Sequence, residues 1–227
     1  MTQKLTILFD LDGTLIDTAP DLVLAHNHVM KEFGFKTKSS EEVKALVGMG
    51  ARTMMTKTLW NSAKEEMNKI SEKNMKDKMV KEFIKFYGDN ILVESKLVNG
   101  VKNFLSWCKN NKISMGVCTN KQEHLAIDLL KKIGISSFFE YVAGCDTFSY
   151  CKPDSRHLTS VIEIMQGDIK KTIMIGDSEV DAKSAQNASL PFVLLKDGYT
   201  NVKTSQMKYD HLIKDFNGLE KTIIKYL

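Results

Sequence analysis

The residues of this chain that could do chemistry fall in short clusters, most of them just past an apolar run. Asp10-Leu11-Asp12-Gly13-Thr14-Leu15 follows the run 5–9 and sets two carboxylates one residue apart, with glycine and threonine next. That spacing can aim both acids and several backbone N–H groups at one point. Thr119 and Asn120 follow the run 113–118 and offer a hydroxyl and an amide. Gly176-Asp177-Ser178 follows the run 172–175, with Asp181 four residues beyond Asp177 at the start of a helical pattern. Lys152-Pro153 stands in the loop before another helical pattern, and the proline ring fixes the backbone there. Singly, each has an ordinary reading. Paired carboxylates cap helices, and a lysine beside a proline is a common surface feature. Only the ensemble sets them apart.

The elements that must position these clusters follow from the periodicity. The runs 5–9, 113–118, 172–175 and 192–195 are short and nearly all apolar, as parallel strands buried on both faces are. Helical patterns separate them, at 101–110, 121–133, 157–165 and 181–188. Strand and helix in alternation imply βαβ units, hence an α/β fold with a doubly wound, Rossmann-like parallel sheet. Such open sheets bind ligands beyond the carboxyl ends of their strands. The tail adds a short strand at 211–213 and a terminal helix at 218–226.

Residues 19–90 break the alternation and read as a run of helices. The first, at 19–33, puts Leu22, Ala25, Val29 and Phe33 on one stripe and carries Pro20 in its first turn. Ser39 and Glu42 have capping-box spacing for a second. Val47-Gly48-Met49-Gly50 interrupts before a third helix from Ala51, and a long charged helix follows at 63–87 with Met67, Ile70, Met75, Met79, Phe83 and Phe86 as its apolar contacts. The organisation expected is a core domain from residues 1–18 and 95–227, with a helical cap domain, 19–94, inserted after the first strand.

Bulk properties exclude several classes. The 227 residues carry 32 basic and 28 acidic side chains, and the lysines of 64–85 are interleaved with acids, which reads as a solvated helix face. A nucleic-acid partner would need a one-sided basic stripe. No stretch approaches the roughly 18–20 apolar residues that cross a bilayer, and the short N-terminal run leads straight into acids, unlike a signal peptide. Cys108, Cys118, Cys145 and Cys151 lack zinc-ligand spacing. A cytoplasmic location is the expectation, and the sequence leaves monomer or homodimer undecided.

The four clusters, in this order and spacing, resemble the haloacid dehalogenase-like hydrolase superfamily. Its motifs correspond to Asp10 to Leu15, to Thr119 with Asn120, to Lys152-Pro153, and to Gly176 through Asp181. The helical insertion, the Val47-Gly48-Met49-Gly50-Ala51-Arg52 segment and the return at Leu97-Val98-Asn99-Gly100-Val101 are similar to the phosphoglycolate phosphatase-like branch with its small helical cap. The resemblance implies a Mg²⁺-dependent phosphatase acting on a small phosphorylated metabolite. By it, Asp10 is the nucleophile and Asp12 the general acid and base. Mg²⁺ sits on the Asp10 carboxylate, the Asp12 carbonyl and Asp177. Thr119, the Asn120 amide and Lys152 hold the phosphoryl oxygens, while Asp181 orients metal-bound waters or Lys152 and Ser178 stands beside it. Arg52 is a candidate cap contact to a substrate carboxylate, whereas Lys57, His26 and His28 read as surface or structural residues.

Two departures from the family pattern stand out. Ser189 occupies a position after a helix where relatives have glycine, at a cost of about 1 kcal/mol if the backbone there is left-handed. The loop after Pro153 lacks the second proline common there. Two other functions fit the same motifs: a phosphosugar mutase, in which Asp10 hands its phosphoryl group to a second substrate, and a non-catalytic phospho-accepting regulator.

Overall fold

The computed structural model describes residues 4–62 and 69–227. From the N-terminus, β1 (Thr6–Phe9) and a short β2 (Ile16–Asp17) lead into four helices: α1 (Ala19–Glu32), α2 (Ser40–Val47), α3 (Ala51–Ser62) and α4 (Lys69–Asp89). A short β3 (Lys96–Leu97) brings the chain back. Alternation then holds through α5 (Val101–Asn110), β4 (Ser114–Cys118), α6 (Glu123–Lys132), β5 (Tyr141–Ala143), α7 (Ser155–Ile164), β6 (Thr172–Gly176), α8 (Glu179–Asn187) and β7 (Phe192–Leu195). β8 (His211–Ile213) and α9 (Glu220–Ile223) end it. Residues 63–68 of the expected long helix, Met67 among them, lie outside the described residues.

The sheet has six strands in the order β5-β4-β1-β6-β7-β8, every pair parallel. This is the doubly wound α/β core that the apolar runs predict. Each residue of β1 is buried because the sheet is covered on both sides. Ile7 and Phe9 join one apolar layer, where Phe9 meets Phe104 and Phe216 at ring-centroid distances of 6.3 and 6.4 Å. Leu8 joins the other layer, with Leu158, Met174 and Phe192.

Register is what serves the site. Phe9 pairs with Val117 on one side and with Ile175 on the other, so β4, β1 and β6 finish level. Asp10, Thr119 and Asp177 therefore emerge together at one edge of the sheet.

Several boundaries differ from the sequence reading, each for a local reason. α6 begins at Glu123 rather than at 121, because Gln122 is extended (φ −61°, ψ 140°) and acts as N-cap. That shift leaves Lys121 in the loop at the strand end. β5 escaped notice because its three residues are too few to show a period. The same holds for β2 and β3, which pair antiparallel as Ile16↔Leu97 and Asp17↔Lys96 and close the neck of the insertion. At the C-terminus the helix is shorter than expected, and Ile224–Tyr226 form a 3₁₀ turn.

The neck carries a second tie. Asp21, in the first turn of α1, is buried and accepts hydrogen bonds from Val93 N (3.0 Å), Glu94 N (2.9 Å), Ser95 N (3.0 Å) and Ser95 Oγ (2.6 Å). One carboxylate thus joins the start of the insertion to its end. Within the insertion the Ser39–Glu42 capping box forms in both directions.

Candidate active site

β1 delivers the first two acids. Asp10 N donates to Ile175 O (2.9 Å), so the ladder runs one residue past the strand and fixes the Asp10 backbone. Its carboxylate accepts from Lys152 Nζ at 2.6 Å. The same ammonium lies 2.6 Å from Asp181 Oδ1, and Lys152 is only 4% exposed. Asp181 Oδ2 accepts from Ser178 Oγ (2.6 Å) and Ser178 N (3.1 Å), completing a capping box at the start of α8. The helix terminus and the lysine therefore share one carboxylate.

The Asp177 carboxylate is held by two donors. Thr14 Oγ1 donates to Oδ1 (3.1 Å) and Tyr199 N donates to Oδ2 (2.6 Å). Two glycines make the room. A Cβ on Gly13 would stand 2.3 Å from Asp177 Oδ2, and one on Gly198 would stand 2.4 Å from Asp177 Cβ. Gly13 also has φ +87°, a left-handed conformation in which glycine carries no steric penalty.

Oxygens of Asp10, Asp177 and Asp181 all lie within 4.8 Å of one another. Burial pushes the Asp10 carboxyl up to about 7 even though Lys152 opposes it, with the charge of Asp181 adding to the rise. Burial and the charges of Asp10 and Asp181 hold Asp177 well above the usual carboxylate range. With Asp12 and Lys121 included, four carboxyl groups meet two ammoniums here, two more acids than bases, and a cation would favour their ionised forms. A hard divalent cation fits both that excess and the all-oxygen donor set.

Asp12 points to a different neighbour. Lys121 Nζ donates to both of its oxygens at 2.8 Å, and Thr18 Oγ1 donates to Oδ1 at 2.7 Å. Burial pulls the Lys121 ammonium toward neutrality, but the charge of Asp12, with hydrogen bonds to Asp12 and Tyr87, outweighs it and raises its pKa.

Thr119 is buried, with its N–H on Ala143 O (3.0 Å) and its Oγ1 accepting from Lys121 N (3.1 Å). The Asn120 side-chain amide donates to Lys152 O (3.0 Å) and to Gly48 O (3.3 Å), a link to the insertion. A cavity of about 430 Å³ opens over these residues. Asp10, Asp12, Thr119 and Lys152 line its floor, while Met54, Phe83 and Ile84 from the helices and Met49 from the turn between α2 and α3 line its roof. Arg52 reaches the same cavity but is 71% exposed and pairs with Asp77 at 2.9 Å. Lys57 is exposed and approaches Met49 Sδ, His26 is buried against Asn27, and His28 stacks on Phe86.

The arrangement resolves a question of descent. A family model described as haloacid dehalogenase-like hydrolase matches residues 7–195, most of the chain. The chain belongs to that family. Among curated relatives, a phosphoglycolate phosphatase of Agrobacterium fabrum is 36% identical over 97% of this chain and 92% of its own length. One of Caulobacter vibrioides is 36% identical over 98% and 92%. A crystal structure of a predicted phosphoglycolate phosphatase from Haemophilus somnus superposes with a TM-score of 0.87 at 27% identity, covering 98% of this chain and 99% of that one.

For this haloacid dehalogenase-like hydrolase, sequence reading passed over Lys121, Tyr87, Thr14, Tyr199 and Asp21. Lys121 had a usable signal, since it directly follows Thr119 and Asn120 past a strand end. Tyr199 had none: its N–H reaches Asp177 across 22 residues, and its phenol accepts from Ala19 N (2.9 Å) and donates to Asp17.

Proposed function

We propose that this chain is a Mg²⁺-dependent phosphatase that hydrolyses a small phosphate monoester by way of a phosphorylated Asp10. One observation carries the reading: a single buried lysine, Lys152, bridges Asp10 and Asp181 inside the three-acid cluster. A carboxylate so held has a fixed attack direction and a cation beside it for the transferred group.

Bound at Asp10 and Asp177, with the Asp12 carbonyl, Mg²⁺ would supply charge neutralisation for a phosphoryl group entering an acidic site. The chain's own residues do the rest. An Asp10 oxygen attacks phosphorus and the ester P–O bond breaks, while Asp12 gives its proton to the leaving oxygen. Asp12 then takes a proton from water, that water attacks phosphorus, and the bond to Asp10 breaks to release phosphate. Thr119 and Lys152, with the Asn120 backbone amide, hold the non-bridging oxygens, where charge gathers in the transition state. Asp181 and Ser178 keep Lys152 and the start of α8 in place. The helices α1–α4 serve as a cap (residues 19–94) over a core of 1–18 and 95–227, and their movement admits substrate and water.

The relatives' names support phosphoglycolate, or a compound much like it, as the substrate. Among the described residues no helix is long and apolar enough to cross a membrane, which accords with a cytoplasmic enzyme. The test is hydrolysis of p-nitrophenyl phosphate with Mg²⁺. Activity lost on chelation and in Asp10→Asn supports the reading, and full turnover by Asp10→Asn refutes the nucleophile. A panel of phosphorylated metabolites compared by kcat/KM then tests the substrate.

A further inference from the structure

The phosphatase reading assigns a role to every buried charge at the strand ends except Lys121. Its side chain is 4% exposed, yet its ammonium reaches the cavity that holds Asp10 and Asp12. Two of its three N–H groups account for the two oxygens of Asp12. The ammonium also lies 4.5 Å from the ring centroid of Tyr87, on α4 of the helical insertion. Tyr87 lines the same cavity and is 1% exposed. Its hydroxyl is buried beside the Lys121 ammonium and has no other partner among the described residues. A phenol oxygen that meets only a donor keeps its own O–H proton free to donate into the cavity.

We propose that Lys121 and Tyr87 form the subsite for a carboxylate on the leaving group, and so select acidic phosphomonoesters. The inference rests on the phosphatase reading for the placement of the ester. If Asp12 protonates the leaving oxygen, that oxygen stands beside Asp12, and Lys121 is the cation bound to Asp12. In a phosphorylated 2-hydroxy acid the carboxylate hangs one carbon from the ester oxygen. It therefore falls beside the Lys121 ammonium and the Tyr87 hydroxyl. The rest of the roof, with Met49, Phe83 and Ile84, is largely apolar, and the neutral Thr53 hydroxyl brings no positive charge to a carboxylate. Arg52, the contact suggested by sequence, is engaged with Asp77 at the exposed rim. Because Tyr87 comes from the insertion and Lys121 from the core, a bridging carboxylate would also hold the two parts together during the first displacement.

The experiment compares phosphoglycolate with ethyl phosphate, which carries a methyl group where the first carries its carboxylate. The quantity read is the ratio of their kcat/KM values. Tyr87→Phe should lower that ratio about tenfold, chiefly through the KM for phosphoglycolate, and Lys121→Gln should lower it by about a hundredfold, as loss of hydrogen bonds to a charged group implies. Equal losses on both substrates would mean that Lys121 only positions Asp12, and would overturn the proposal. Should Lys121→Gln fail to fold, an unchanged ratio in Tyr87→Phe overturns it alone. Calorimetric binding of both compounds to Asp10→Asn separates this inference from the phosphatase reading. Preferential binding of phosphoglycolate that disappears on adding Tyr87→Phe supports the subsite even without turnover, and equal binding of the two compounds defeats it.

Discussion

The floor and the roof of the cavity are held together by different physics. On the floor every acid is pinned by at least two partners: Asp10 by its backbone and Lys152, Asp177 by Thr14 and Tyr199, Asp181 by Lys152 and Ser178. Bonds between buried charges are strong and directional, so these positions tolerate little movement. The roof has one exposed ion pair, Arg52–Asp77, of a kind worth about 0–1 kcal/mol. Most of its other lining side chains are methionine, aliphatic and aromatic, and these repack readily. A rigid floor suits a reaction whose atoms must meet in fixed geometry, and an adaptable roof suits the recognition of whichever group carries the phosphate. Substitutions that disturb the floor should therefore act on kcat, and those in the roof on the choice of substrate.

The largest effect belongs to the floor. If Asp10 is the nucleophile, as proposed, Asp10→Asn should reduce turnover of any phosphomonoester by about 10⁴-fold or more, because it removes the attacking oxygen rather than weakening a contact. Steady-state assays on p-nitrophenyl phosphate and phosphoglycolate should show the same loss. A loss confined to one substrate would place Asp10 in recognition, and the contrast between floor and roof would fail.

Next comes the cation. If the negative excess at Asp10, Asp177 and Asp181 is a Mg²⁺ site, chelation should abolish activity and added Mg²⁺ should restore it. Binding to the folded state alone should also raise stability, by about 2.7 kcal/mol at a hundredfold excess over Kd. Thermal melts with and without Mg²⁺ read this directly. In Asp177→Asn the Mg²⁺-dependent shift should collapse, whereas Arg52→Gln in the roof should leave it intact.

Two glycines test rigidity without touching charge. A Cβ at Gly198 would stand 2.4 Å from Asp177 atoms, with no flexible side-chain tip to give way. Gly198→Ala should displace Asp177 and cut kcat by about a hundredfold, on the scale of a small misplacement in an active site. Gly48, at the roof, has a helical φ of −60° and would bring its Cβ no closer than 3.6 Å to Ser178 or Tyr199. Gly48→Ala should change kcat less than about threefold and stability by less than about 1 kcal/mol. Equal sensitivity at the two positions would show that floor and roof are equally rigid.

How much of this was legible in the sequence differs between the two regions for the same reason. Asp10, Thr119 and Asp177 follow apolar runs, so the strands that position them announce themselves, and level register brings them together. The sheet could be read because parallel strands buried on both faces leave continuous hydrophobic stretches. What could not be read were contacts across long separations. Thr14 holds Asp177 from 163 positions away, and Lys121 holds Asp12 from 109. Lys121 was absorbed into a helix because Gln122, an unexceptional residue, turns the chain one step before α6. In the roof, the spacing of Met79 and Phe83 shows a buried stripe but not that Tyr87, four residues further, meets Lys121 of the floor over the site.

The smallest expected effect compares the regions where neither touches substrate. α1, in the insertion, is followed by Gly34 at φ +75°, and α8, in the core, is followed by Ser189 at φ +57°. The two positions are alike in bonding: Gly34 N donates to Lys31 O and Ser189 N to Gln186 O, each at 3.1 Å. Both are exposed, and a Cβ at Gly34 would meet nothing within 4 Å, so packing does not enter. Only the left-handed backbone distinguishes the residues, and it penalises a side chain by about 1 kcal/mol. Ser189→Gly should therefore stabilise the fold by up to about 1 kcal/mol, and Gly34→Ser should destabilise it by a similar amount, in chemical denaturation with unchanged m-values. Activity should stay level in both, since neither helix end bears on the acids. A gain at Ser189 without the matching loss at Gly34 would mean that the insertion unfolds separately from the core, and two transitions in the same experiment would report it.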